Sequence, residues 1–176
     1  MTHRSGTAAS TLAHLPGPVA GHNGAMSRRS SRPRQTSAAR TRIAPATAIT
    51  PASPCPCGLS ATYADCCGRL HAGAAAPTCE ALMRSRYAAF VVQDAAYLLR
   101  TWHPDTRPPV IDFDPAMRWV RLEILATTDG SAFHTTGTVT FRAHCTDNGR
   151  TDSLHEQSRF VRHEGAWVYS TAVFAD

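Results

Sequence analysis

Residues 117–174 read MRWVRLEILATTDGSAFHTTGTVTFRAHCTDNGRTDSLHEQSRFVRHEGAWVYSTAVF, and the spacing of their apolar residues decides the fold. From about Met117 the period is two: Val120, Leu122 and Ile124 alternate with Trp119, Arg121 and Glu123, the pattern of a half-buried strand. Asp129-Gly130 supplies a turn. A second strand follows around Gly137–His144, with Val139, Phe141 and Ala143 on one face and Thr138, Thr140, Arg142 and His144 on the other. Asn148-Gly149 is a hairpin signal, because such residues accept the positive φ angles of a two-residue turn. Strands over about Asp152–Arg162 and Ala166–Phe174, joined at Glu164-Gly165, complete a four-strand antiparallel meander.

Upstream, the period changes. Leu82, Tyr87, Phe90 and Val91, with Ala89 between them, lie on one side at helical spacing, and Glu80 stands near the start, so one amphipathic helix is expected. Asp94 interrupts it as the N-cap of a second, short helix, whose Leu98, Leu99 and Trp102 share a flank before Pro104 ends it. Helices first and strands afterwards predict an α+β fold with the helices packed on one concave face of the sheet.

Residues 55–77 contain four cysteines and little apolar content, too little to fold on a core of their own. Cys55-Pro-Cys57, an eight-residue spacer that begins with Gly58, then Cys66-Cys67-Gly68 puts two sulfurs at each end of a short loop, so that four can converge tetrahedrally. Zinc takes four such ligands, and a site filled by four protein ligands is structural, with no position open for water. Four-sulfur sites also accept iron. Disulfides are the plainer alternative, but adjacent cysteines such as Cys66 and Cys67 pair poorly, and a reducing cytoplasm is the expected compartment. Metal binding can supply the folding energy that a segment without a core lacks, about 10–16 kcal/mol in small peptides.

The run CPCGLS at Cys55–Ser60, followed by YADCCGRL at Tyr63–Leu70, resembles the SEC-C motif that closes the SecA translocase and occurs in many bacterial proteins. LMRSRYAAF at Leu82–Phe90, DAAYL at Asp94–Leu98 and TWHP at Thr101–Pro104 are similar to the YchJ family. The resemblance covers Cys55 to the C-terminus. It implies a SEC-C metal-binding knuckle, then a domain similar to nuclear transport factor two, a cone of curved antiparallel sheet wrapped by helices. SEC-C motifs usually carry lysines between the cysteine pairs; Leu59–Asp65 has none.

Three parts are therefore expected: an extension over 1–54, a knuckle over 55–77 and an α+β cone domain over 78–176. Residues 1–54 hold seven arginines and no acidic residue, in a setting of Ser, Thr, Ala and Pro that reads as disordered. The same composition fits an organelle transit peptide, a polyanion-binding arm or a start upstream of a true start at Met26. From Cys55 onward, eleven arginines face thirteen acidic residues, a net of −2, so the overall charge of +5 belongs to the extension. That distribution argues against specific DNA binding, which needs a basic face on a folded element. No apolar run approaches the ~20 residues of a membrane-spanning helix.

Arg84 and Arg86 flank the buried face of the first helix and either grip an anion or sit in a salt bridge or in solvent. His103 ends the second helix, as a general acid or base or as a partner of the helix dipole. Glu156 and Ser158 share a strand face with Phe160 and Arg162; if that face lines the cone, Glu156 is a buried carboxylate, catalytic or paired with an arginine. Arg84, Tyr97, Trp102, His103 and Glu156 are thus the candidate pocket residues, while Cys79 and Cys145 lack ligand spacing. The sequence has no Gly-rich phosphate loop, nucleophile elbow or paired-histidine zinc motif.

The leading reading is a metal-binding interaction protein, with one zinc (or iron) ion and a protein or ribonucleoprotein partner reached through the knuckle. The alternative is an enzyme or small-molecule binder using the cone, and a third reading is a redox sensor that releases its metal on oxidation.

Overall fold

The computed structural model describes residues 48–173. The disordered extension expected over 1–54 thus lies, for residues 1–47, outside the described residues, as does Phe174 at the expected end of the last strand. The elements in order are α1 (Cys67–His71), α2 (Cys79–Val92), α3 (Ala95–Arg100), β1 (Met117–Asp129), β2 (Thr136–Asp147), β3 (Arg150–His163) and β4 (Ala166–Val173). The strands form one antiparallel sheet in the order β1-β2-β3-β4, the expected meander.

Two of the turns follow from local chemistry. Asn148 and Gly149 have φ of 48° and 81°, and Glu164 and Gly165 have 49° and 80°, the paired left-handed angles that match a tight turn to strand twist. Asp129 and Gly130 also have positive φ, but β2 resumes only at Thr136. Gly130 is clipped to the start of α2, where its carbonyl accepts from the Cys79 N–H at 2.9 Å. A Cβ on Gly130 would lie 1.9 Å from the Cys79 sulfur, so only glycine fits.

The concave face carries the core. Val139, Phe141 and Ala143 of β2, Phe160 of β3 and Tyr169 of β4 meet Leu82, Tyr87 and Phe90 of α2 and Leu98 of α3. The expected alternation holds for Leu122 and Ile124 but fails at the start of β1. A register shift between Trp119 and Arg121 turns Val120 outward, 63% exposed, while Trp119 packs inward on Tyr87 and Phe90. A second shift, between Ile124 and Ala126, leaves Leu125 exposed as well. Each bulge adds one residue against the partner strand and reverses the facing beyond it.

The caps are local. Thr78 Oγ1 accepts from the Ala81 N–H at 3.1 Å, and Asp94 Oδ1 accepts from the Tyr97 N–H at 2.9 Å, as expected of Asp94. Gln93 ends α2 with φ of 58°. Helix α2 differs from the expected amphipathic helix: besides the expected Leu82, Tyr87, Ala89 and Phe90 it buries Cys79, Met83, Ser85, Arg86 and Ala88, while Val91 is half-buried. The cysteine segment covers the flank that solvent was expected to wet. The chain after α3 is tied to β4 by backbone bonds from Tyr169 N–H to the Thr101 carbonyl and from His103 N–H to the Tyr169 carbonyl. Among the described residues, no helix is long and apolar enough to cross a membrane.

The bulge gives a test of facing. Val120→Thr should change unfolding free energy by less than about 0.5 kcal/mol, whereas Leu122→Ala should cost roughly 2–5 kcal/mol. Urea unfolding of both variants measures this, and a large loss for Val120→Thr would put Val120 inside.

Candidate metal centre

The cysteine segment is shaped by backbone bonds before any side chain is considered. Cys55 N–H donates to the Ala61 carbonyl at 2.9 Å and Gly58 N–H returns to the Cys55 carbonyl at 3.2 Å, with Gly58 at φ of 88°. The framework begins ahead of Cys55, where the expected boundary was drawn: Tyr63 N–H bonds the Ser53 carbonyl, Ala64 N–H bonds the Pro51 carbonyl, and Pro54 bridges Thr62. Gly68 N–H bonds the Tyr63 carbonyl at 2.7 Å, and a Cβ there would lie 2.6 Å from that oxygen. Glycine after the second cysteine pair is thus required by close approach.

These turns bring the four sulfurs of Cys55, Cys57, Cys66 and Cys67 within 4.8 Å of one another, the one such cluster among the described residues. Cys57 and Cys66 Sγ are 3.6 Å apart and Cys66 and Cys67 Sγ 4.0 Å. A disulfide needs about 2.05 Å, and all four cysteines are free. A tetrahedral metal with ~2.3 Å bonds to sulfur has edges of about 3.8 Å, between the two separations measured here. The cluster fits a metal ion. Cys55, Cys57 and Cys67 are buried and Cys66 is half-buried.

The charges point the same way. A hydrogen bond from the Cys67 thiol pulls Cys57 down to about 5 against the cost of burial, helped by the Leu59 backbone and the Cys55 and Cys66 thiols. Burial and the bond to Cys57 push Cys66 up to about 12. Cys67 is also raised, first by its hydrogen bond to Cys57 and then by burial. Cys66 and Cys67 therefore resist adding charge beside a thiolate, and a cation at the centre removes that resistance.

The cluster rests on the cone domain. Ala88 of α2, with no exposed surface, packs against Cys55, Cys57 and Cys67. Arg84 Nη1 donates to the Cys57 carbonyl at 2.9 Å while its Nε bonds Glu80 at 2.8 Å. His71 Nε2 lies 2.9 Å from the Ser85 carbonyl; a carbonyl only accepts, so Nε2 carries the hydrogen. Nδ1 then accepts from the Tyr63 hydroxyl at 2.7 Å, and burial lowers the His71 pKa, which keeps the ring neutral. Arg100 Nη2 donates to the Leu70 and His71 carbonyls.

Two family models match the chain: the YchJ middle domain, described as NTF2-like, over residues 78–172, and the SEC-C motif over 53–69. The chain belongs to the YchJ family. Within this family, a UPF0225 protein of Streptomyces coelicolor is 67% identical over 127 residues, which are 72% of this chain and 99% of that protein. A UPF0225 protein of Bordetella pertussis is 50% identical over 125 residues, 68% of this chain and 92% of that one. The solution structure of a SEC-C motif protein from Rhodopseudomonas palustris aligns with a TM-score of 0.61 at 35% identity, over 69% of this chain and 98% of that one. A crystal structure of a SEC-C motif protein from Psychrobacter arcticus gives 0.59 at 25%, over 72% and 86%. Knuckle followed by cone is thus the YchJ-family arrangement.

The five candidate pocket residues do not converge. Arg84 buttresses the cysteine cluster. Tyr97 OH bonds Ser85 Oγ, and its ring lies 4.3 Å from that of His71, at the seam between knuckle and cone. His103 is half-buried, with its ring 5.1 Å from His163. Trp102 and Glu156 lie in the core of the cone with Arg86 and Tyr169, and Tyr97, 2% exposed, belongs to the same core cluster. Sequence reasoning missed Tyr63, His71 and Ala88 as supports of the cysteine cluster. His71 follows Cys67 by one helical turn, a signal that could have found it.

Arg84 provides a test: Arg84→Met should weaken metal affinity by roughly 10–100-fold, as loss of an outer support does, with unchanged far-ultraviolet circular dichroism. Competition against a chromophoric chelator measures it, and unchanged affinity would make the bond to Cys57 incidental.

Proposed function

We propose that this YchJ-family protein binds one zinc ion through Cys55, Cys57, Cys66 and Cys67, and that the metal-braced knuckle presents a contact surface to a protein or ribonucleoprotein partner in the cytoplasm. The observation that carries the reading is the convergence of four largely buried sulfurs within 4.8 Å of one another in a segment without a core of its own. The metal, when bound, supplies Lewis-acid charge that holds four thiolates together; with all four positions taken by cysteine it has none left for substrate. Zinc is favoured over iron because it carries no redox chemistry that the knuckle would have to control.

The contact surface is the outer side of the knuckle. Ala52, Pro54, Leu59, Ser60, Ala61 and Thr62 line a shallow cleft without a charged side chain, and Leu59 is 48% exposed there. Such a rim suits an apolar protein segment better than a nucleic-acid backbone, and it agrees with the absence of lysine from Leu59–Asp65.

Two measurements test the two halves separately. The full chain, expressed without added metal and without a histidine tag, should contain about one zinc per chain by inductively coupled plasma mass spectrometry, and a Cys66→Ser/Cys67→Ser variant should contain none. Metal-free reduced protein would remove the first half, and iron in place of zinc would correct it. For the second half, gentle affinity capture with metal-loaded full chain should recover a stoichiometric macromolecular partner that Leu59→Asp loses while keeping its metal. Recovery of no partner, or capture indifferent to Leu59→Asp, would refute the contact surface.

A further inference from the structure

The four cysteines of the cluster are not equally sheltered. Cys57 is 0% exposed, Cys67 2% and Cys55 5%, packed with Ala88 of α2, whereas Cys66 is half-buried. The two cysteines outside the cluster, Cys79 and Cys145, are also buried. Sulfur oxidation follows exposure, so an oxidant arriving from solvent meets Cys66 before any other cysteine of the folded part.

Geometry then selects a partner for it. Cys57 Sγ stands 3.6 Å from Cys66 Sγ, and Cys67 Sγ stands 4.0 Å from it. Cys67 is the next residue in the chain, and Cα atoms across a trans peptide are about 3.8 Å apart, short of the roughly 4.4–6.8 Å that a disulfide spans. Cys57 has no such restriction, because eight residues separate it from Cys66. The ends of that loop are held by backbone bonds that need no metal: Cys55 N–H to the Ala61 carbonyl, Gly58 N–H to the Cys55 carbonyl and Cys66 N–H to the Tyr63 carbonyl, at 2.9, 3.2 and 3.2 Å. The Cys57 and Cys66 sulfurs are thus kept as neighbours by the fold itself, including after one of them has been modified.

We propose that the knuckle is a peroxide-sensitive switch, in which Cys66 is oxidised, Cys57 closes on it as a disulfide and the metal is released. The inference rests on the metal reading above and states how that same site is regulated. The Cys66 sulfur attacks one oxygen of hydrogen peroxide: the S–O bond forms, the O–O bond breaks, and the second oxygen takes a proton and leaves as water. The Cys57 thiolate then attacks the Cys66 sulfenic acid; the S–S bond forms, the S–O bond breaks, and the departing hydroxide takes a proton. Two thiolates, one peroxide and two protons become one disulfide and two waters, with two electrons passing from sulfur to peroxide. Cys55 and Cys67 alone are left as ligands, where a structural zinc site takes four. The bridged residues are the two ends of the loop that carries Leu59, so metal and contact surface answer to the same event.

The test treats zinc-loaded full chain with hydrogen peroxide, reads released zinc with a chromophoric indicator, and maps the cysteines by alkylation under denaturing conditions and mass spectrometry. Zinc release should rise in step with a Cys57–Cys66 disulfide, while Cys55, Cys67, Cys79 and Cys145 remain open to alkylation. Dithiothreitol with added zinc should restore the starting state. Cys66→His keeps a fourth ligand that zinc accepts and removes the half-buried thiol, so it should slow release by about tenfold or more. Zinc held through a large excess of peroxide would overturn the switch. Zinc lost with a different disulfide, or with Cys66 carried on to the sulfinic acid, would overturn it too, as would equally fast release from Cys66→His. A chain isolated without metal would remove the metal reading instead, and mapping that reduced chain after peroxide would still decide the pairing of Cys57 with Cys66.

Discussion

Ala88 sits in the middle of α2 with no exposed surface, and three cysteines close over it from one side while Tyr87 and Phe90 reach the sheet from the other. This two-sided burial of α2 is the constraint on which the rest of the structure depends. The sheet wall is held by apolar area, which suffices for side chains the size of Phe141, Phe160 and Leu82. The knuckle wall has no such area to spend. It is held by the convergence of its sulfurs and by hydrogen bonds thrown across the seam: Arg84 to Cys57, His71 to Ser85, Arg100 to Leu70 and His71. A residue larger than alanine at position 88 would push the two walls apart, so the spacing of the cysteine cluster and the packing of the cone are fixed by the same helix. Knuckle and cone are two layers around one helix.

Much of this was legible in the sequence because it was local. Period two over β2 and β3, the Asn148-Gly149 and Glu164-Gly165 turns, the Asp94 cap and the four cysteines each depend on a few neighbouring residues, and the structure shows each of them. What was not legible depended on something distant. Val120 is read as inward by alternation, and nothing in its neighbours announces that β1 bulges there, because the bulge is a relation to the register of β2. The outer flank of α2 reads as solvent-facing until the knuckle is known to cover it. Ser85 looks polar and is buried, bonded to Tyr97 and to the Leu82 carbonyl.

The candidate site divides along the same line. The cysteine tetrad was visible as spacing, whereas the five pocket residues were chosen by type and predicted facing, and they do not share one place. Arg84 and Arg86 stand two residues apart and seemed a pair, but two residues on a helix are about 200° apart around its axis. One therefore serves the knuckle and the other the core. Glu156 was placed on the correct face of β3, yet its neighbours Arg86 and Tyr169 come from α2 and β4, and only the closed fold brings them together.

The arginines of α2 and α3 are tied to backbone carbonyls of the fold. Arg84, Arg86 and Arg100, the basic residues of α2 and α3, each donate to a backbone carbonyl, Arg86 in the core and Arg84 and Arg100 across the seam to the knuckle. Guanidinium suits this work because its planar fork of donors can serve two acceptors at once, as Arg84 serves Glu80 and Cys57 and Arg86 serves Leu98 and Thr101. From Cys55 onward the net charge is −2, so the folded part has no positive excess to steer an anionic partner at long range. A partner meeting the cleft around Leu59 would therefore be selected at contact distance, by shape and apolar burial, and its binding would depend little on salt.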